Sequence, residues 1–169
     1  MEVKLIRGDI TKIPVEVIVN SANPSLMRGG GVCGAIHKAA GIELEKECLE
    51  LKKSRGIDKL PIGKVIVTKA YNLPTKFVIH TVGPKNNGLD DINLLKNCYI
   101  NSIRKADELK VSSISFPAIS TNIYGVSIEI SAKMVKEALE ELSEPKNLKE
   151  IILVFHKQSD LECYQKMFC

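Results

Sequence analysis

Apolar and polar residues alternate from Glu2 to Arg7, a period of two that predicts a β-strand, and Gly8-Asp9-Ile10-Thr11 turns the chain toward a second strand at 15–20. From Val32 the period changes. Val32, Ala35, Ile36, Ala39 and Ala40 follow the i, i+3, i+4 spacing of a buried helical face, and a second amphipathic piece runs from Gly41 to about Lys53 with Leu44, Cys48 and Leu51 on one side. Residues 64–68 and 76–82 read as two further strands, separated by a turn at Tyr71-Asn72-Leu73-Pro74 and closed by Gly83-Pro84. The second of them is almost continuously apolar, which predicts a central position in a sheet covered on both faces. Ile92, Leu95, Tyr99, Ile103 and Ala106 mark a long helix within 90–109. A strand at 113–117, a helix at about 127–142 capped by Ser127, a strand at 150–155 and a short helix bearing Leu161, Tyr164 and Phe168 complete the chain.

Six strands and about five helices in alternation predict an α/β protein, a three-layer α/β/α sandwich around a mixed, mostly parallel six-stranded sheet. No internal repeat or linker divides the 169 residues, so the expectation is one domain spanning 1–169. In such sheets ligands collect beyond the carboxyl ends of the strands. Asp9, the 20–34 segment, the 120–125 loop and Phe155 all fall at strand ends and are predicted to converge on one crevice.

Charge changes this picture little. The net charge is +4, but lysines are interleaved with Glu and Asp and no block of one sign stands out, so the surface reads as solvated and salt-bridged, not as a nucleic-acid face. With no Trp and 5% aromatics, a platform stacking several bases is disfavoured, whereas an anionic small ligand is compatible. The five cysteines form an odd set without a C-x-x-C pair, no charged-then-apolar leader precedes the first strand, and no apolar run approaches about 20 residues. The expected setting is a reducing cytoplasm, with no membrane partner. His37, His80 and His156 do not share a ligand spacing, so no metal is assigned, and no cofactor is expected. His80 reads as a hydrogen-bonded core or strand-end histidine.

Three glycines, Gly29-Gly30-Gly31, open the first helix after a strand and a short link. A glycine turn at a helix N-terminus presents unpaired N–H groups and lets the backbone approach a ligand closely, an arrangement suited to phosphate. Gly29, Gly31 and Gly34 match G-x-G-x-x-G, but the context opposes a dinucleotide fold. The strand ends near Asn20, Ser21–Arg28 intervene, and Gly56 and Lys59 lie where an acidic strand end is needed. The Lys-Ser/Thr of a P-loop is also absent, so a redox enzyme is disfavoured. From the residues alone, Asp9 reads as the acceptor of an Asx turn.

Taken together, Gly8-Asp9-Ile10-Thr11, Val19-Asn20-Ser21-Ala22-Asn23, the Gly29–Ile36 segment, His80-Thr81-Val82-Gly83-Pro84 and the Pro117–Gly125 segment resemble a macrodomain, the ADP-ribose-binding module, in the family's order from Met1 to Phe168. The resemblance implies that Asp9 accepts a hydrogen bond from the adenine amino group in place of the Asx turn, with the Ile10 backbone and the Phe155 ring framing the base. It implies that Gly30, Gly31 and Val32 on one side and Ser120, Thr121, Asn122, Ile123 and Tyr124 on the other hold the diphosphate, with Ala22, Gly29 and Cys33 along the same path. Asn23 would hold a hydroxyl of the distal ribose, its other reading being a side chain that satisfies the turn before Pro24, and Tyr124 would pack beside that ribose. Asn20 would tie the loop to the sheet, and Phe155 could equally be core packing.

The implied partners are ADP-ribose or ADP-ribosylated proteins, bound by a monomer. The implied reaction is hydrolysis of ADP-ribosyl esters, either release of mono-ADP-ribose from acidic side chains or deacetylation of O-acetyl-ADP-ribose, with Asn23 and Tyr124 fixing the ribose while a bound water attacks. Two positions depart from the family's pattern. Asn122 stands where glycine is usual and is expected to adopt the left-handed backbone itself. Cys33 stands where efficient hydrolases carry an aspartate. It reads either as a small apolar filler or as a thiol activated at a helix N-terminus, and it motivates the alternative of a non-catalytic ADP-ribose reader.

Overall fold

The structure is a computed structural model describing all 169 residues, Met1–Cys169. One sheet contains β1 (Glu2–Arg7), β2 (Val17–Ser21), β3 (Val65–Lys69), β4 (Phe77–Thr81), β5 (Ser113–Phe116) and β6 (Glu150–Phe155), in the spatial order β1-β6-β5-β2-β4-β3. Every neighbouring pair is parallel except β3 with β4. The helices are α1 (Gly31–Ala40), α2 (Ile42–Arg55), α3 (Leu94–Glu108), α4 (Ile128–Glu141) and α5 (Gln158–Phe168), with a single 3-10 turn at Ile10–Lys12.

The interior strands carry apolar residues on both faces because helices cover both, with Asn20, His80, Thr81 and Ser115 as buried polar exceptions. Val17, Val19, Ile79, Ile114, Phe116, Ile151 and Leu153 point into a core completed by α3, α4 and α5. Ile18, Val78, Ile66, Ile152 and Val154, one residue out of phase with them, meet Ile36, Ala40, Leu44 and Cys48 of α1 and α2. Each fully buried aliphatic side chain of this kind contributes about 1.5–3 kcal/mol. The predicted three-layer arrangement is therefore present, whereas β4, expected to be central, is interior but second from the edge, between β2 and the edge strand β3.

The strand order adds what the periodicity did not show, and the start of one helix needs correction. Although β1 and β2 are consecutive, β6 and β5 lie between them, so the Gly8–Thr11 turn leads into a crossover and not to a neighbouring strand. Parallel strands cannot be joined by a tight turn. The long helix begins at Leu94, later than 90, because Asp91 Oδ1 accepts the Asn93 N–H at 2.9 Å and holds the preceding residues in a local turn. Parallel alignment brings the carboxyl ends of β1, β6, β5, β2 and β4 to one edge of the sheet, and the loops leaving that edge build the site.

Candidate functional site

The first wall follows β2. Asn23 organises the link to α1: its Nδ2 donates to Met27 O at 2.8 Å, and its Oδ1 accepts from Ser25 Oγ at 2.9 Å and Met27 N at 3.1 Å. The turn-satisfying reading of Asn23 thus holds, while its second N–H remains available for a ligand. Gly30 caps α1 without a side-chain bond, and the N–H groups of Gly31, Val32 and Cys33 have no protein acceptor. Gly31 adopts φ +55°, which favours glycine. At Gly34 a Cβ would collide with Gly29 O, so the helix needs glycine there for the turn to lie against it.

The second wall follows β5. Buried Tyr99 on α3 donates its hydroxyl to Pro117 O at 3.2 Å and accepts the Ile119 N–H at 3.2 Å, which fixes where the loop leaves the sheet. Burial pushes that phenol well above its ordinary pKa, so it stays a neutral hydroxyl. The loop closes through Val126 N to Ser120 O at 3.0 Å and Gly125 N to Asn122 O at 3.0 Å. The amides of Asn122, Ile123 and Tyr124 are left without protein acceptors. Asn122 does not carry the left-handed backbone expected of it. That conformation falls on Ser120 (φ +68°) and Gly125 (φ +74°), because Asn122 is the first residue of its turn, where positive φ is not required.

Between the walls lies a crevice in two connected parts, of about 560 Å³ and about 190 Å³. The larger holds Asp9, Ile10 and Phe155; the smaller holds Ala22, Asn23, Gly29, Gly30, Cys33, Ser120, Ile123 and Tyr124. Gly31, Val32, Thr121 and Asn122 line both. Of the unpaired amides, those of Gly31, Val32 and Asn122 belong to residues lining both parts and those of Cys33, Ile123 and Tyr124 to residues lining the smaller, a set of fixed donors suited to an anion.

Asp9 keeps its Asx turn, which the resemblance had displaced. Oδ1 accepts from Thr11 N at 3.0 Å and Thr11 Oγ1 at 2.7 Å, while Oδ2 has no protein partner. The Thr11 hydroxyl, foremost, holds this carboxyl below its ordinary pKa, so it is an ionised acceptor at neutral pH. Phe155 is 2% exposed, packs against Tyr164 at 4.5 Å between ring centroids and is in register with Arg7. It forms the cavity wall and belongs to the core at the same time. Sequence reasoning missed Arg7, His156, Lys157 and Asp160, which ring the larger cavity. Their signal was adjacency to Asp9 and Phe155 at the ends of two paired strands.

Cys33 is 6% exposed in the smaller cavity. Its thiol lies 3.7 Å from Met27 O and receives the Asn20 amide at 3.8 Å. Asn20 also donates to His80 Nδ1 at 3.1 Å, and His80 Nε2 lies 2.9 Å from Thr68 Oγ1. Because Thr68 spends its own hydrogen on Lys69 O at 3.0 Å, His80 is the donor in that bond and carries its proton on Nε2. Burial first, then nearby His37, lowers the His80 pKa to about 3. Tyr124, raised by burial and by Cys33 and Asp90, is a neutral phenol lining the same cavity.

The family model described as Macro domain matches residues 19–135. A macro domain-containing protein of Caldanaerobacter subterraneus subsp. tengcongensis is 40% identical over 169 residues, 99% of this chain and 95% of its own length. An Escherichia coli K12 protein named O-acetyl-ADP-ribose deacetylase is 40% identical over 171 residues, 98% of this chain and 94% of its own. Among solved structures, the Oceanobacillus iheyensis macrodomain with ADP superposes with a TM-score of 0.91 at 42% identity, covering 97% of this chain and 88% of that one. The Trypanosoma brucei macrodomain in complex with ADP-ribose gives 0.84 at 30%, covering 99% and 69%.

Proposed function

The chain belongs to the macro domain family, and from that premise we propose that it binds ADP-ribose in the two-part crevice and hydrolyses ADP-ribosyl esters. The observation that carries the reading is the two sets of unpaired amides, Gly31 to Cys33 and Asn122 to Tyr124, of which Gly31, Val32 and Asn122 line both a larger and a smaller cavity. A diphosphate bridging two nucleoside-sized ends matches that layout. Free Oδ2 of Asp9 at the larger end is an acceptor for an adenine amino group, which separates adenine from a base bearing a carbonyl there. Asn23 and Tyr124 at the smaller end position the distal ribose.

Catalysis on this reading is mainly positional. Fixed backbone donors hold the diphosphate without ordering long side chains, and the second Asn23 N–H orients the ribose. For release from an acidic side chain, a water held against the glycine turn attacks the anomeric carbon, the sugar C–O bond breaks, the departing carboxylate carries away the bonding electrons, and the water's proton passes to solvent or phosphate oxygen. For O-acetyl-ADP-ribose, which relatives are named for deacetylating, the water attacks the acetyl carbonyl instead, the acyl C–O bond breaks, and the ribose oxygen leaves and takes up a proton from the water. The five free thiols suit a reducing cytoplasm.

The test is single-turnover release of ADP-ribose from a mono-ADP-ribosylated glutamate peptide and of acetate from O-acetyl-ADP-ribose, beside calorimetric titration with ADP-ribose. Binding with release of either group is the expected result. Binding without release establishes a reader, the reading favoured by Cys33, which offers a thiol where an ionised base would act.

A further inference from the structure

The segment after β4 braces the second wall of the crevice. Asn86 N donates to Tyr124 O at 2.8 Å, and Asn86 Nδ2 donates to Gly125 O at 3.2 Å. The segment is closed on itself: Lys85 N donates to Asp90 Oδ2 at 2.9 Å, and Asn87 Oδ1 accepts from Leu89 N at 2.9 Å and Asp90 N at 3.0 Å. The base of Lys85 is thus fixed, and its ammonium lies 5.1 Å over the centre of the Tyr124 ring. No ion pair uses this ammonium. The same two loops carry two large aliphatic residues almost wholly in solvent, Ile123 (86% exposed), next to Tyr124 in the braced loop, and Leu89 (89% exposed) in the bracing segment.

Nothing in the binding of free ADP-ribose requires this combination. The diphosphate is met by backbone, and the ribose by Asn23 and by the Tyr124 edge that lines the smaller cavity. An unpaired cation sits over Tyr124, which lines the smaller cavity, with exposed aliphatic side chains in the same two loops, and on the function proposed above the ester's acyl part leaves from that end. We infer that Lys85, Leu89 and Ile123 form the surface that receives the polypeptide to which ADP-ribose is attached, one with further carboxylates next to the modified residue. The inference rests on the function proposed above and narrows its substrate class from any ADP-ribosyl ester to acidic polypeptide segments. Charge complementarity selects the occupant: Lys85 attracts a carboxylate at short range, while Ile123 and Leu89 cover apolar parts of the backbone-adjacent side chains.

The test uses two peptides carrying ADP-ribose through a non-hydrolysable amide link, one flanked by Asp and Glu, the other by Asn and Gln, titrated against the protein at low salt. The acidic peptide is expected to bind about threefold to fivefold tighter than the neutral one, the scale of one exposed charge pair, and the preference shrinks as salt is added. K85Q should abolish the preference while leaving the affinity for free ADP-ribose unchanged, K85R should keep it, and I123S should weaken both peptides alike. Equal affinity for the two peptides in the unaltered protein, a preference that survives K85Q, or an equal loss on both peptides and free ADP-ribose in K85Q overturns the inference. If free ADP-ribose itself fails to bind the unaltered protein, the function proposed above fails, and this inference with it.

Discussion

Asn20 and His80 face each other across β2 and β4, joined by a 3.1 Å hydrogen bond inside the sheet, and the same amide of Asn20 reaches the Cys33 thiol at 3.8 Å. A buried histidine is thereby tied to the wall of the crevice through one side chain. The tie holds only while His80 Nδ1 is an unprotonated acceptor.

That requirement gives a pH dependence of stability. Unfolded histidine takes up a proton near 6.5, whereas folded His80 does so only near 3, and buried His37 is shifted in the same direction. The unfolded chain therefore binds more protons between those values. The contribution is complete above about pH 6.5 and drains away as pH falls toward 3, at no more than about 1.4 kcal/mol per pH unit for each histidine. Asp9, Glu16 and Asp107, all lowered, add losses only below the carboxylate range. Urea melts at pH 7, 6 and 5 should show falling stability, and H80N, although less stable overall, should show a shallower slope over that interval. Parallel slopes would remove His80 from the account.

Gly34 is the position where the glycine turn has least room. Its Cβ would enter Gly29 O, whereas a Cβ on Gly30 meets open space. G34A is expected to cost about 1–3 kcal/mol, the scale of overpacking, and to lower ADP-ribose affinity by displacing the turn. G30A should melt within about 0.5 kcal/mol of the parent. Thermal melts of the two variants side by side check the contrast.

Much of this was legible in the sequence because the signals were periodic or compositional. Alternation along β1, the apolar run of β4 and the glycines before α1 name their own structures. What was not legible depended on the third dimension. The separation of β1 from β2 is set by β6 and β5, which come a hundred residues later. The left-handed residue of the second loop is Ser120 and not Asn122, because the hydrogen bonds of Val126 and Gly125 decide which residues turn. The hydroxyl of Tyr99 looks like one more apolar position of a helix face until β5 is laid beside it. Lys85 is one lysine among many, singled out only by the ring beneath it.

The Tyr99 clamp is open to a direct test. Y99F keeps the ring, which packs 4.9 Å from Phe116, but leaves the Ile119 N–H and the Pro117 carbonyl without their buried partner. The expected loss is about 1–3 kcal/mol of stability. Because those two residues set the exit of the second loop, ADP-ribose affinity should fall as well. Unchanged affinity in a destabilised Y99F would show that the loop is held by its own turns alone.

Asn23 holds a turn and, on the proposed function, orients a ribose, and the two separate experimentally. N23A removes three local hydrogen bonds, so a stability loss of about 1–2 kcal/mol is expected whatever the reaction. If the free N–H also positions the ribose for attack, turnover should drop by more than ADP-ribose affinity does. Matching losses in the two would leave Asn23 as a turn residue only.

On the proposed reaction, the rate is expected to be limited at Cys33. A thiol offers no ionised oxygen to a water, and a positioned general base is worth about 10²–10⁴-fold where one is present. The site already holds what a carboxylate would need: the Asn20 amide at 3.8 Å from Sγ as donor, the unpaired N–H groups at the start of α1, and 6% exposure toward the smaller cavity. C33D should therefore raise single-turnover release of ADP-ribose by at least about tenfold, with C33S unchanged as the control for size. If C33D folds, binds ADP-ribose and releases nothing faster, the rate is limited by the orientation of the ribose, and Asn23 and Tyr124 become the positions to rebuild.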